Sequence, residues 1–417
     1  MRAWTDLPSH RRWLEGHSRD LLAFGRRSGA PDGGASWLTD DGYPWPERGV
    51  HTWITARTVH VYGLGAMLGI PGCRGVAEQA LAGLLPGGPL HDAEFGGWFA
   101  EVSASGEAGG TGADKAAYAH AFVVLAAATG ACAGLDGARA LLDEAGSVLL
   151  ERFWDEEVGL LVDTWNRDFS VRDPYRGLNA TMHGVEAMLS AADVTGDPDW
   201  LRRAVRICSA VVGFAEANRW RFPEHYDATW SPRLDLNADR PDDPFKPFGA
   251  TVGHGLEWSR LLLHLEASCA ARGVPVEVDV VGAARHLYAR AVEDGWSVDG
   301  APGFVYTTDW DGTPVVRTRM HWVVAEAIGA AAALHERTGE TAYATDYARW
   351  WDYAATYLVD HEQGSWHHEL APDNSPSARV WPGKPDLYHA VQATLIPRLP
   401  LTPAMATAVS EGLLREV

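Results

Sequence analysis

His254 and Glu257 stand three residues apart in T-V-G-H-G-L-E-W (251–258), directly ahead of the apolar run S-R-L-L-L-H-L-E-A. Imidazole and carboxylate are poor core groups, and a buried charge is costly unless it is paired. Residues three apart share a helix face, so the two can act together. The carboxylate accepts a hydrogen bond from one imidazole nitrogen, or binds a ligand beside it, and leaves the other nitrogen free. A histidine held this way serves as acid or base near neutral pH, because its ordinary pKa is about 6.5. Gly253 marks a helix start, and a place in the first turn disfavours the imidazolium through the helix dipole.

The combination recurs along the chain. Apolar segments with a histidine near their start appear at His60, His120, His183, His254, His321 and His389, in steps of 60 to 71 residues. Four are accompanied: His183 by Glu186, His254 by Glu257, His321 by Glu326 at a looser spacing, and His389 by Gln392. His60 and His120 have no acidic companion and read as structural. Arg57 lies one turn before His60 in H-T-W-I-T-A-R-T-V-H. A guanidinium in such a run needs an oxygen-rich ligand or a salt bridge to a neighbouring helix. Histidines with a cation fit proton transfer beside a carbonyl. One imidazole removes a proton, a second delivers or relays it, and the cation stabilises charge developing on oxygen.

These side chains need elements that bring them together. The histidine-bearing segments are rich in small residues and apolar nearly all round, the pattern of helices buried on every side. Between them lie amphipathic segments such as W-L-R-R-A-V-R-I-C-S-A-V-V-G-F, half exposed to water. A hairpin of one inner and one outer helix, repeated six times, predicts an all-α (α/α)6 barrel. Its six parallel inner helices open at one end, and residues 1–417 form a single catalytic domain. F-G-G-W-F-A-E-V, G-L-L-V-D-T-W-N, P-G-F-V-Y-T-T-D-W and G-S-W-H-H-E-L read as turns or short β-hairpins at one end of the ring. Residues 28–50 and 231–250 exceed simple connectors and are expected to fold over the funnel mouth, shaping it for a small substrate.

Composition narrows the classes. A hydrophobic content of 46% with 22% charged residues suits a soluble protein with a large core. The net charge of −20 argues against nucleic-acid or anionic-membrane partners. The opening M-R-A-W-T-D-L-P-S-H-R-R-W has no apolar stretch of a signal peptide, and the longest apolar run breaks at Thr129 and Gly130, short of a membrane span. The four cysteines are far apart without C-x-x-C spacing, as expected of reduced thiols in a cytoplasmic protein. A monomer or small homo-oligomer is expected.

W-I-T-A-R-T-V-H-V-Y, N-A-T-M-H-G-V-E-A, G-A-T-V-G-H-G-L-E-W-S-R-L-L-L, R-M-H-W-V-V-A-E-A-I-G-A-A and K-P-D-L-Y-H-A-V-Q-A-T-L-I-P occur in this order. Together, from about residue 45 to 397, they resemble the N-acylglucosamine 2-epimerase superfamily, and within it the aldose–ketose isomerase branch. The resemblance implies the same barrel and proton transfer between C1 and C2 of an open-chain sugar through a cis-enediol. It implies neither a metal nor a nucleotide cofactor. By the same resemblance His389 and His254 would be the acid–base pair, with Glu257 assisting the latter. Arg57 and His183 would contact substrate oxygens, and Asn179 would sit one turn before His183. Trp322 and Trp381 would stack on the sugar, with Glu186, His321 and Gln392 as further contacts. K-P-D-L-Y-H looks like the isomerases, since cellobiose epimerases place a tryptophan closer to that histidine. The expected substrate is therefore mannose, interconverted with fructose, with lyxose and xylulose as further candidates.

Other readings make distinct demands. A 2-epimerase of the same superfamily would release glucose from mannose. A sulfosugar isomerase needs a cationic or amide site, for which Lys246, Arg240 and Arg379 are at hand. An inverting glycosidase needs two carboxylates about 6.5–9.5 Å apart, with Glu186, Glu257, Glu326 and Asp309 to choose from. A dimetal protein would carry Glu-x-x-His rather than His-x-x-Glu, and a sugar-binding protein would not exchange the proton on C2.

Overall fold

The protein is described here by a computed structural model covering residues 2–415. Its helices are α1 (Pro8–Phe24), α2 (Thr52–Met67), α3 (Cys73–Ala82), α4 (Ala117–Cys132), α5 (Ala138–Val148), α6 (Leu178–Thr195) and α7 (Asp199–Ala217). They continue with α8 (Val252–Arg272), α9 (Val280–Gly295), α10 (His321–Thr338), α11 (Thr341–Tyr353), α12 (Tyr388–Leu395) and α13 (Met405–Ser410). In α4 every residue from Ala119 to Gly130 is buried, and its alanines let neighbouring backbones approach closely. In α7 the buried residues Trp200, Leu201, Ala204, Ile207, Cys208, Val211 and Ala215 form one stripe, with Arg202 turned to water.

The even-numbered helices α2 to α12 form a closed ring, each packed on the next and α12 on α2. Helices α3, α5, α7, α9 and α11 each pack outside the inner helix that precedes them. This is the (α/α)6 barrel, with one departure from six sequential hairpins. The outer partner of α12 is α1, at the opposite end of the chain. Among the described residues, α12 is followed by a short turn and the six-residue α13, which lies across α2, α4 and α6. That segment is too short to cover α12.

The first five inner helices begin directly after a two-residue strand, at Val50–His51, Lys115–Ala116, Arg176–Gly177, Ala250–Thr251 and Arg319–Met320. Each pairs antiparallel with a strand following an outer helix: Glu101–Val102, Thr164–Trp165, His225–Tyr226, Thr307–Thr308 and Glu369–Leu370. The first helical N–H then donates across the same seam, from Thr52 to the Ala100 carbonyl, Ala117 to Asp163, Leu178 to Glu224, Val252 to Tyr306 and His321 to His368. Helix starts leave N–H groups without intrahelical partners; here those groups fasten the inner helices at one level. The four Gly- and aromatic-rich segments foreseen as hairpins supply four of these five seams, all but the one at His225–Tyr226. The sixth start is held by Lys384 N–H donating to the Leu38 carbonyl.

Residues 28–50 therefore brace the barrel instead of lining its mouth. Trp37 donates from Nε1 to the Pro382 carbonyl and stacks on Trp381 with ring centroids 6.1 Å apart. Residues 231–250 do reach the mouth, through Pro244, Phe245 and Pro247.

Several core histidines are held neutral. Burial lowers His60, His183 and His264 to about 4 and His120 to about 3. His60 Nδ1 meets the Thr129 hydroxyl at 2.6 Å, and His120 Nε2 accepts from the Trp98 N–H, so both are structural. An unfolded chain protonates these rings near pH 6.5 whereas the folded chain does so only near 4. Stability is thus full above 6.5 and is lost as the pH falls toward 4. The thermal midpoint is expected to drop by roughly 10 °C or more across that window. A calorimetric midpoint constant from pH 6.5 to 4 would show that these rings are not neutral in the fold.

Candidate active site

A cavity of about 750 Å³ opens at the end of the barrel where the inner helices begin. Its wall takes Trp53 and Arg57 from α2, Tyr118 from α4, Asn179 and His183 from α6, His254 and Glu257 from α8, His321 and Trp322 from α10, and His389 from α12. The seams add Tyr306 and His368, and the segment ahead of α12 adds Trp381, Pro385 and Asp386. Four of the six repeated histidines meet here.

Trp322 stands between the two foreseen acid–base histidines, its ring centroid 5.3 Å from His254 and 5.8 Å from His389. A monosaccharide lying along Trp322 can therefore touch both. Gly253 permits this arrangement, because a Cβ there would lie 2.3 Å from the Trp322 ring. The glycine that reads in the sequence as a helix start is also required by this close approach.

The carboxylates that hold the imidazoles are not those at i+3. His254 Nδ1 lies 2.9 Å from Glu224 Oε2, across the seam that starts α6. His389 Nδ1 lies 3.0 Å from Glu326 Oε1 on α10. In each case the tautomer that donates from Nδ1 leaves the Nε2 lone pair for a ligand. Burial pushes His389 well below the ordinary histidine value despite nearby Asp386, so the ring is an unprotonated acceptor at neutral pH. Side chains at i+3 share a face, but in a closed ring the neighbouring seam or helix offers the shorter reach.

Glu257 instead faces the floor. Its Oε1 is 3.7 Å from both His183 Nδ1 and Arg260 Nη2. Burial and neighbouring Glu326 raise it well above the carboxylate range, against the pull of Arg260 and Arg57. Glu186 and Gln392, expected as substrate contacts, do not reach the cavity. Glu186 accepts from the Tyr388 hydroxyl and from Gln392 Nε2, and all three lie in a layer beneath the cavity. Asn179 lines the wall with its Oδ1 unpartnered, and His321 stacks on His368 at 4.0 Å between centroids. Trp381 packs against Trp37, Trp53 and Phe245 to form one side of the mouth.

Arg57 is both ion-paired and part of the wall. Its Nη1 donates to Asp386 Oδ2 at 2.8 Å and its Nη2 to the Tyr118 hydroxyl at 3.0 Å. Burial works against its charge, but Asp386, Tyr118, Tyr388 and Glu257 together more than offset this and keep the guanidinium firmly protonated. Glu224, Tyr118, His368 and Asp386 were not foreseen. Asp386 stands in the quoted K-P-D-L-Y-H, three residues before His389. Glu224 and His368 occupy the seam position whose carbonyl receives an inner-helix start, a register detectable only once the seams are aligned.

His183, Glu186 and Glu257 each offer one ligand atom within 4.8 Å of the others, the only such group among the described residues. The set does not suit a cation. Both Glu186 oxygens already accept hydrogen bonds, and the Arg260 guanidinium stands against Glu257. Among the described residues no helix is long and apolar enough to cross a membrane.

Comparison with known proteins agrees with this arrangement. The chain is 50% identical to a D-mannose isomerase of Thermobifida fusca, over 98% of this chain and 99% of that one. It is 45% identical to a D-mannose isomerase of Pseudomonas cannabina pv. alisalensis, over 98% and 97%. A crystal structure of a D-mannose isomerase superposes with a TM-score of 0.82 at 26% identity, covering 93% of this chain and 97% of the other. The sequence profile of N-acylglucosamine 2-epimerase (GlcNAc 2-epimerase) matches residues 33–393, nearly the whole ring from the brace ahead of α2 to α12, and the chain belongs to that family.

Proposed function

We propose that this chain is a cytoplasmic sugar isomerase, a single catalytic domain interconverting D-mannose and D-fructose, with D-lyxose and D-xylulose as smaller substrates. The observation that carries this reading is the pair of imidazoles flanking Trp322, each with Nδ1 engaged by a carboxylate and Nε2 available to one cavity. His389 and His254 move the carbon-bound proton between C2 and C1 of the open-chain sugar. Arg57 and Tyr118 donate toward the oxygen on which charge develops. Asn179 and His183 orient hydroxyl groups, and Trp322 carries the sugar face. The names of the two relatives at 45–50% identity favour mannose as the aldose.

The cations a sulfonate would need lie outside the cavity wall. Lys246 Nζ sits 3.8 Å over the Tyr175 ring, and Arg240 and Arg379 pair with Asp243 and Asp242. A glycosidase is disfavoured because the wall carries two carboxyl groups, of which Glu257 faces Arg260 and His183 on the floor and Asp386 is paired with Arg57 beside His389.

The test is incubation with mannose in D₂O followed by NMR. Fructose is expected as the first product, at an unchanged rate after dialysis against EDTA. Glucose as the first product would make the protein an epimerase, and loss of activity in EDTA would reinstate a metal.

A further inference from the structure

Converting an aldose to a ketose relocates two protons. One moves from C2 to C1, and the other moves from the O2 hydroxyl to O1. Inverting C2 alone takes the proton from one face of C2 and returns one to the other, and leaves the protons on both oxygens where they were. Two histidines account for the carbon-bound proton, so an isomerase needs a further group that exchanges protons with O1 and O2, close to the base at C2.

Asp386 occupies that place. It lines the cavity, buried, immediately ahead of α12. Its Oδ2 is 3.8 Å from His389 Nε2, the ring nitrogen free for substrate, and 2.8 Å from Arg57 Nη1. Its Oδ1 accepts from the Tyr388 N–H at 2.9 Å, which fixes the carboxylate plane. The other nearby carboxyl groups are engaged elsewhere: Glu224 and Glu326 hold the histidines, and Glu257 faces Arg260 and His183. Burial favours the protonated form of Asp386, but Arg57, His389 and His321 together hold it below the usual carboxylate range. Asp386 is therefore ionised and open to a hydroxyl proton, which it gives up readily.

We propose that Asp386 is a third catalytic acid–base group, carrying the hydroxyl proton from O2 to O1 while the histidines move the carbon-bound one. The assignment rests on the isomerase reading above. Starting from mannose, a histidine takes the proton from C2. The C–H electron pair becomes the C1=C2 bond and the carbonyl π pair goes to O1, beside Arg57. Asp386 accepts the proton of the O2 hydroxyl and gives it to O1. The O2 electron pair then forms C2=O2, and the C1=C2 pair takes the proton from histidine at C1. No proton is gained or lost overall.

The test compares two rates in D₂O at equal enzyme concentration: fructose formed, and deuterium entering C2 of the recovered aldose. In Asp386→Asn, fructose formation is expected to fall about 100-fold while exchange at C2 falls less than about tenfold. The exchange-to-fructose ratio then rises at least tenfold. Asp386→Glu keeps an anion against Arg57, and so supports the fold, while displacing the shuttling oxygen; the same ratio is expected to rise at least threefold. A ratio in either folded variant equal to or below the wild-type one overturns the assignment and leaves Asp386 as a support for Arg57 and His389. Absence of fructose with the wild-type protein is a separate result. It removes the isomerase reading itself, and the shuttle with it.

Discussion

His389→Ala is expected to lower kcat for mannose-to-fructose conversion by roughly 10³-fold or more, near the upper range for loss of a positioned acid–base group, with KM within about threefold. The ring is buried, neutral and held through Nδ1 by Glu326, so alanine removes the one imidazole nitrogen that α12 presents to the cavity. The fold should persist, because Glu326 retains Arg260 on its other oxygen at 2.9 Å. Steady-state kinetics with a thermal melt separates the two effects. Turnover within tenfold of wild type would remove His389 from the chemistry.

His254→Ala is expected to cost about 10³-fold in kcat as well, but with a different signature. Its partner Glu224 is 4% exposed and its Oε1 has no hydrogen-bond partner. Removing the imidazole leaves that carboxylate buried without its nearest donor, a more expensive state than the one left beneath His389. The variant should therefore melt at a lower temperature than His389→Ala, and His254→Gln should recover part of the difference in melting temperature without recovering turnover. Equal melting temperatures for the two alanine variants would mean that Glu224 draws no stability from His254. Turnover within tenfold of wild type would leave His389 as sole base.

The barrel is legible in the sequence because its signal is a period. Six apolar segments at 60–71-residue steps, alternating with amphipathic ones, leave little freedom of architecture. His254, His389, His183 and Arg57 are legible for the same reason, since each lies within the first two turns of an inner helix. What the period does not carry is partnership across the ring. Spacing alone pairs His254 with Glu257 and His389 with Gln392, whereas the fold pairs them with Glu224 and Glu326. Glu224 lies 30 positions from His254 and Glu326 lies 63 from His389. Glu186 and Gln392 share their helices with true cavity residues but point one layer lower, a difference of depth that a three-residue spacing does not reveal. The outer helix α1 escaped for a related reason: its partner, α12, lies at the other end of the chain.

That last pairing bears on biogenesis. As the polypeptide leaves the ribosome, α1 precedes α12 by all the other inner helices, so the early helix has no seat until the last of the ring is made. The Arg57–Asp386 contact spans 329 positions and joins the same early and late regions. A polypeptide that stops short of Asp386 holds neither the buried ion pair nor His389. Closing the ring and completing the wall of the cavity are thus one event.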